Sequence, residues 1–406
     1  MNRSVTKIVL QILSRVQKEG DKALIGYTRR FDRLPKSHHL EVTGKERREA
    51  WRKADPVIVQ ALKKAAKRIR HFHEHQKSVL FKKQWGYTLE GIRIGQKCEP
   101  ISRVGIYVPG GRATYPSTVL MNSIPAKVAG VNELIMASPW PGGVVNPYTL
   151  IAAELAGVDR LFKIGGAQAV AALAFGTQSI PKVDKIVGPG NIFVATAKRL
   201  VFGQVGIDMI AGPTEVVIIA DESARADWVA SDLISQAEHD PEARAILISP
   251  SSTLIRNVKR EVERSVPRSP RKKILEASFE NHGRCLRVKN LKEACEKANR
   301  LAPEHLVLMT RSPRKILPLV KNAGAIFLGH YSPVALGDYA AGPNHVLPTA
   351  ATARFSSPLG VGDFLKSSSL IEASAQGLAK ITPMIEKLAL VEGLTGHAES
   401  VRVRSR

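Results

Sequence analysis

From residue 100 onward, short apolar runs rich in β-branched residues alternate with longer, alanine-rich stretches whose apolar positions recur at helical spacing. The pattern predicts strands at Val104 to Val108, Leu134 to Ala137, Lys185 to Val187, Val216 to Ala220, Ala245 to Ser249, Leu306 to Met309 and Ala325 to Leu328. Strand and helix in alternation predict an α/β fold with largely parallel sheets. Before residue 100, MNRSVTKIVLQILSRVQKEGDKAL reads as an amphipathic helix and residues 45–77 as a basic helix. Ser265 to Lys273 (SVPRSPRKK) reads as an exposed loop. The chain from Val361 on is helical in composition, with Thr382-Pro383 as a helix start.

Composition narrows the class. A chain of 406 residues with 44% hydrophobic and 24% charged residues is long enough for two domains and has the balance of a globular protein, which excludes a disordered tail or a fibrous chain. The uncharged stretch from Leu134 to Ala153 contains Pro139, Pro141, Gly142, Gly143 and Pro147, which rules out a membrane-spanning helix. Cys98, Cys285 and Cys295 form no CxxC pair and no even-numbered framework, so a reducing, cytoplasmic compartment is expected. The net charge of +24 is the anomaly, and residues 1–100 hold much of it, with 24 Lys and Arg against 10 Asp and Glu. Such a face attracts phosphates without sequence recognition, or serves as a solvated surface.

Several strands end in glycine or proline, as at Val108-Pro109-Gly110-Gly111, Val187-Gly188-Pro189-Gly190 and Ala211-Gly212-Pro213. Ligands of open α/β sheets bind beyond the carboxyl ends of strands, which makes these turns the first places to look. No GxGxxG follows a strand, so the usual dinucleotide fingerprint is missing. In Ser231-Asp232-Leu233-Ile234-Ser235-Gln236-Ala237-Glu238-His239-Asp240, a helix running to Pro241 would put Gln236 and His239 on one face, at a spacing suited to one metal or to a dipole-stabilised histidine at a helix end. Glu304 and His305, adjacent at the mouth of an apolar strand, supply two proton carriers if both face one cavity. Asp338 lies among small residues in Gly337 to His345, and Glu392 and His397 stand near the C-terminus. The cluster His71-Phe72-His73-Glu74-His75 sits in a basic, solvated helix and reads as a decoy.

Taken in order, ten long blocks resemble the histidinol dehydrogenase family: RVGIYVPGG, YPSTVLMNSIPAKVAGV, GGAQAVAALAFGT, VDKIVGPGN, DMIAGPTEVVIIAD, DLISQAEHDP, APEHL, NAGAIFLG, GDYAAGPNHVLPT and ARFSSPL. The resemblance implies an oxidation of L-histidinol to L-histidine through a bound aldehyde, with two NAD and one zinc per subunit. It implies Glu304 and His305 as the catalytic pair, and Tyr107, Gln168 and Asn191 as cofactor contacts. The implied substrate-binding set is Thr214, Gln236, His239, His305, Asp338, Glu392 and His397, of which Gln236, His239, Asp338 and His397 are the zinc ligands. His397 and Glu392 are expected to come across a homodimer. None of the three cysteines falls in a block matching the site, so no thiolate nucleophile is expected.

The fold implied is aldehyde dehydrogenase-like: two incomplete Rossmann-like domains, one inserted in the other, plus a small C-terminal helical extension. Its expected division places residues 1–106 with 214–360 in a main domain carrying the zinc and catalytic residues. Residues 107–213 form an inserted cofactor-side domain, and residues 361–406 a dimerisation extension. Two departures stand out. The chain starts later than many relatives, so an N-terminal segment that often helps the dimer is expected to be short or missing, and Ala350 and Ala351 stand where relatives often have glycines. The competing readings are a dehydrogenase of another polar alcohol or diol on the same scaffold, and a basic protein that binds nucleic acid. No membrane and no specific nucleic-acid partner is expected.

Overall fold

The computed structural model of the protein describes residues 3–35, 39–110, 115–144 and 146–405. Four helices open the chain, α1 (Arg3–Glu19), α2 (Asp21–Asp32), α3 (Gly44–Lys53) and α4 (Pro56–Leu80), followed by a hairpin of β1 (Gln84–Leu89) and β2 (Ile92–Pro100). The N-terminal amphipathic stretch buries Val5, Val9, Ile12, Leu13 and Val16. It is two helices, because Gly20 adopts a φ of 57° that ends the first and starts the second. The basic helix expected over 45–77 is likewise two. Pro56 has no amide hydrogen to continue α3, while the Asp55 side chain accepts from the Val57 amide and caps α4.

A first sheet follows, built from β3 (Arg103–Tyr107), β4 (Glu133–Ala137), β5 (Arg160–Phe162), β6 (Lys185–Val187) and β7 (Gly206–Ile207), with α5 (Pro116–Ala129), α6 (Pro147–Ala156), α7 (Gly166–Phe175) and α8 (Ile192–Val201) between them. A second sheet contains β8 (Glu215–Ala220), β9 (Arg244–Ser249), β10 (Arg284–Arg287), β11 (His305–Met309) and β12 (Ala325–Leu328), connected by α9 (Ala226–Ala237), α10 (Ser252–Ser265), α11 (Lys272–His282), α12 (Leu291–Leu301) and α13 (Pro313–Ile316). The strand orders are β5-β4-β3-β6-β7 and β10-β9-β8-β11-β12, all parallel. Both follow the doubly wound order without its sixth strand, which makes each an incomplete Rossmann-like unit. After α14 (Val334–Tyr339) the chain forms β13 (Leu365–Ala373), α15 (Ala375–Val391) and α16 (Thr395–Arg402).

Each parallel sheet is covered on both faces, as its continuous apolar strands require. Val104, Ile106 and Met136 face α4, α5 and α6, whereas Ile135, Phe162 and Ile186 face α1, α2, α7 and α8. The N-terminal helices, expected with the sheet of residues 214–360, therefore share their cores with the other sheet. Val346, Leu359, Val361 and Phe364 return to that same core. The insertion thus runs opposite to expectation: the unit bearing β8 to β12 lies within the chain of the unit bearing β3 to β7.

The C-terminal region begins differently from its helical composition. β13, LKSSSLIEA, pairs antiparallel with β2 over nine residues, and the ladder overrides the weak local preference of a serine-rich run. Pro383 does not start a helix but lies inside α15, which begins after Ser374, whose side chain accepts from the Gly377 amide. The loop expected at Ser265 to Lys273 holds one 3-10 turn, Val266–Arg268, and reaches into the start of α11. Among the described residues, no helix is long and apolar enough to cross a membrane.

Candidate active site

A cavity of about 270 Å³ lies between the two sheets. The first sheet contributes the carboxyl ends of its strands, with Pro109 after β3, Gly188 and Pro189 after β6, and Asp208 after β7. The second contributes amino ends: Thr214 precedes β8 and Glu304 precedes β11, while His239 follows α9. The carboxyl-end rule therefore locates only half of the site. Gly111 of the first Gly-Pro turn lies outside the described residues.

Glu304 sits one residue before β11 and His305 is its first residue, and both are buried and line this cavity. Glu304 Oε2 accepts from Thr214 Oγ1 and from the Glu215 amide at 2.9 Å. Burial pushes its carboxyl up to about 7, against the opposing pull of those two hydrogen bonds. His305 Nδ1 faces the Glu215 carbonyl at 3.2 Å. A carbonyl only accepts, so Nδ1 carries the hydrogen and Nε2 keeps its lone pair. Nε2 is buried without a hydrogen-bond partner, and burial holds the ring below the usual histidine range, hence neutral and able to take a proton.

The same logic orients Gln236. Thr214 gives its hydroxyl hydrogen to Glu304, so it must accept from the Gln236 amide nitrogen. That leaves Gln236 Oε1, buried and without a hydrogen-bond partner, as a free acceptor. The helix α9 ends at Ala237 rather than at Pro241, and the His239 amide bonds back to the Gln236 carbonyl at 3.3 Å. Both side chains line the cavity, together with Asp338 of α14, whose Oδ1 lies 3.9 Å from His305 Nε2.

Gln236 Oε1, His239 and Asp338 offer two oxygens and one nitrogen, a donor set that suits zinc. Among the described residues no group of three or more His, Cys, Asp and Glu converges on a point. This is expected of a set in which the third donor is a glutamine. The decoy cluster is no exception, since buried His73 is engaged with Gln76 at 3.0 Å.

Tyr107, Gln168 and Asn191 stand at the carboxyl end of the first sheet, outside the cavity but beside its wall. Tyr107 closes β3, and its hydroxyl accepts from the Gly166 amide at 3.1 Å. Burial pushes that phenol up to about 12, so it stays neutral. Gln168 is buried in the first turn of α7, and the Asn191 side chain caps α8 by accepting from the Phe193 and Val194 amides. Glu392 and His397, at the end of α15 and in α16, are exposed and do not line the cavity. None of the three cysteines lines it either.

Two residues to which the sequence assigned no role also belong here. His345 lies under Asp338, with Nδ1 3.0 Å from the Asp338 carbonyl, and burial pushes its pKa down to about 4. Asp208 forms part of the cavity wall. Each falls inside a block carrying the family resemblance, GDYAAGPNHVLPT or DMIAGPTEVVIIAD, and that was the only available signal. A larger cavity of about 630 Å³ lies beside α2, where Arg160 is held by both oxygens of Glu41. It contains none of the expected site residues.

Two Rossmann-like units with a cavity between them define the aldehyde dehydrogenase-like class of α/β proteins. A betaine aldehyde dehydrogenase from Staphylococcus aureus shares this fold at a TM-score of 0.52 and 11% identity, covering 91% of this chain and 83% of that one. The family model for histidinol dehydrogenase matches residues 1–405. A histidinol dehydrogenase from Aquifex aeolicus is 54% identical over 98% of this chain and 92% of its own length. The crystal structure of histidinol dehydrogenase from Elizabethkingia anophelis superposes at a TM-score of 0.94 with 36% identity, covering 100% of this chain and 93% of that one. The chain belongs to the histidinol dehydrogenase family, oxidoreductases of histidine biosynthesis.

Proposed function

We propose that the protein oxidises L-histidinol to L-histidine in two steps at this cavity, using NAD and zinc as a cytoplasmic homodimer. The observation that carries the reading is the pair of buried polar atoms left without partners in one cavity, His305 Nε2 and Gln236 Oε1. A neutral imidazole with its lone pair toward the cavity is a proton acceptor. A buried amide oxygen without a donor is a ligand position for a cation.

Gln236, His239 and Asp338, with His397 from a second copy of the chain, would hold the zinc, while Tyr107, Gln168 and Asn191 would contact NAD. When bound, zinc supplies positive charge that anchors the substrate's amino and imidazole groups, and NAD accepts one hydride in each oxidation. In the first step His305 Nε2 takes the proton of the substrate hydroxyl as the alcohol becomes an aldehyde. In the second, Glu304 takes a proton from water as it adds to the aldehyde, and the hydrate is oxidised to the carboxylate. The Thr214 hydroxyl and the Glu215 amide fix the Glu304 carboxylate, and the Glu215 carbonyl fixes the tautomer of His305. Glu392 of the second copy would bind the substrate imidazole.

The test counts NADH formed per L-histidinol consumed, with zinc-loaded and metal-stripped protein side by side. Two NADH, lost on stripping and restored by zinc, is the expected result. One NADH would overturn the role of Glu304, and none would move the substrate to another polar alcohol.

A further inference from the structure

Where Asp208 lines the cavity wall, its side chain and that of Lys198 are 1% and 3% exposed and form an ion pair. Both also grip one residue. Lys198 Nζ donates to the Gly188 carbonyl at 2.8 Å, and the Gly188 amide donates to Asp208 Oδ2 at 2.7 Å. The pair therefore satisfies both backbone groups of Gly188, at the point where the chain leaves β6 and turns toward α8.

Gly188 cannot be replaced by a larger residue without displacing the backbone around it. Its φ is 109°, and a Cβ there would lie 2.0 Å from the Tyr107 carbonyl oxygen. The backbone of the Gly188-Pro189-Gly190 turn is thus pressed against the end of β3. The ion pair spans three segments around it: Lys198 lies two turns after Asn191 in α8, Gly188 ends β6, and Asp208 follows β7 and leads to Thr214. Gly188, Pro189, Asp208 and Met209 all line the cavity.

Burying two charges costs several kcal/mol per ion before their attraction is counted, and an apolar pair of similar volume is often as stable or more so. Stability alone is therefore a weak reason for this pair. Its geometry points elsewhere, since an apolar pair could not hold the amide and carbonyl of Gly188.

We propose that Lys198 and Asp208 are positioning residues that hold the Gly188-Pro189-Gly190 turn in the shape that receives the cofactor. They set the wall beside Tyr107 and Asn191 without supplying a proton or a ligand. The inference rests on the reading of that wall as the NAD side of the cavity.

The experiment compares wild type with Asp208→Asn and with the double variant Lys198→Met/Asp208→Asn. Asp208→Asn keeps an acceptor for the Gly188 amide, and the double variant avoids leaving one buried charge unpaired. Thermal unfolding and circular dichroism first establish that each variant is folded. KM for NAD, KM for L-histidinol and kcat are then measured, together with direct NADH binding by fluorescence in the absence of turnover. The expected result is a rise of about tenfold or more in KM for NAD and in the NADH dissociation constant, larger in the double variant, with KM for L-histidinol within about twofold of wild type. Unchanged NADH binding in a folded variant overturns the proposal, as does an equal rise in both KM values. If Asp208→Asn folds and the double variant does not, the single variant alone decides by the same criteria. A wild type that reduces no NAD with L-histidinol, but does so with another alcohol, would overturn the substrate reading and leave this one standing. A wild type that neither reduces nor binds the nucleotide would overturn both.

Discussion

At the residue scale, Glu304 and His305, the proposed catalytic pair, draw their properties from one neighbour. The Glu215 amide donates to Glu304 and the Glu215 carbonyl accepts from His305, so a single peptide segment fixes the carboxylate and the tautomer together. With its carboxyl near 7, Glu304 is largely protonated below that pH and largely ionised above it. A base must be ionised, so oxidation of supplied histidinaldehyde should increase as pH rises through about 7. A flat rate profile from pH about 5.5 to 8.5 would rule out this assignment. Glu304→Gln keeps the shape and an acceptor for Thr214 but removes the base. The expected outcome is a loss of about 10²-fold or more in aldehyde oxidation and a smaller loss in the alcohol step. Rapid-mixing traces for the two half-reactions would show it. Equal losses in both would instead make Glu304 a structural group. The adjacency of Glu304 and His305 was legible in the sequence. Their shared orientation was not, because it depends on where β8 lies relative to β11.

At the element scale, the turn after Thr349 carries an unusual load. Ala350 and Ala351 have φ values of 52° and 63°, the left-handed region that favours glycine. The turn is tied down by the Gly212 amide, which donates to Thr349 Oγ1 at 2.6 Å just before Thr214. The strain is therefore held beside the entry to β8. Changing both alanines to glycine relieves a steric cost of roughly 1–2 kcal/mol per residue and returns part of it as entropy of the unfolded chain. A net rise in stability of about 1 kcal/mol is expected, read as a higher urea midpoint at unchanged slope. A lower midpoint would show that the alanine methyl groups contribute packing worth more than the strain. The sequence identified this site as a departure from relatives, and the dihedral angles supply the reason it matters. Element boundaries elsewhere followed the local signals unevenly. The Asp55-Pro56 break acted as its chemistry dictates, whereas Pro383 was absorbed into α15, which packs along α16.

At the scale of the whole molecule, one chain brings together only part of the proposed site. Thr214, Gln236, His239, Glu304, His305 and Asp338 meet in the cavity, while Glu392 and His397 point to solvent from the C-terminal helices. If a second copy supplies those two, inactive variants should complement each other. A dimer of one Glu304→Gln chain with one His397→Ala chain contains one site with both defects and one with neither. Random exchange of subunits makes half of the dimers mixed, so activity should recover to about a quarter of the wild-type sites. Mixing the two inactive proteins under conditions that permit exchange, with each alone as control, checks this. No recovery despite demonstrated exchange would place both residues in their own chain's site.

The sequence by itself determined the seven strands it could announce with β-branched runs, the parallel α/β class and the family blocks. These are properties carried by neighbouring residues, through side-chain shape, glycine and proline geometry, and the order of motifs. The short or polar strands β1, β2, β5, β7, β10 and β13 escaped it, because a run of a few residues, or one whose apolar positions are broken by polar ones, carries little local signal and is fixed by the ladder it joins. Only the tertiary structure decided that the N-terminal helices cover the first sheet and that the second sheet's amino ends face the first sheet's carboxyl ends. It also decided that Gln236 Oε1 and His305 Nε2 are left without partners in one cavity and that Lys198 and Asp208 close on Gly188. Burial and hydrogen-bond satisfaction depend on everything that surrounds an atom, and for these atoms the surroundings come from segments far apart in sequence.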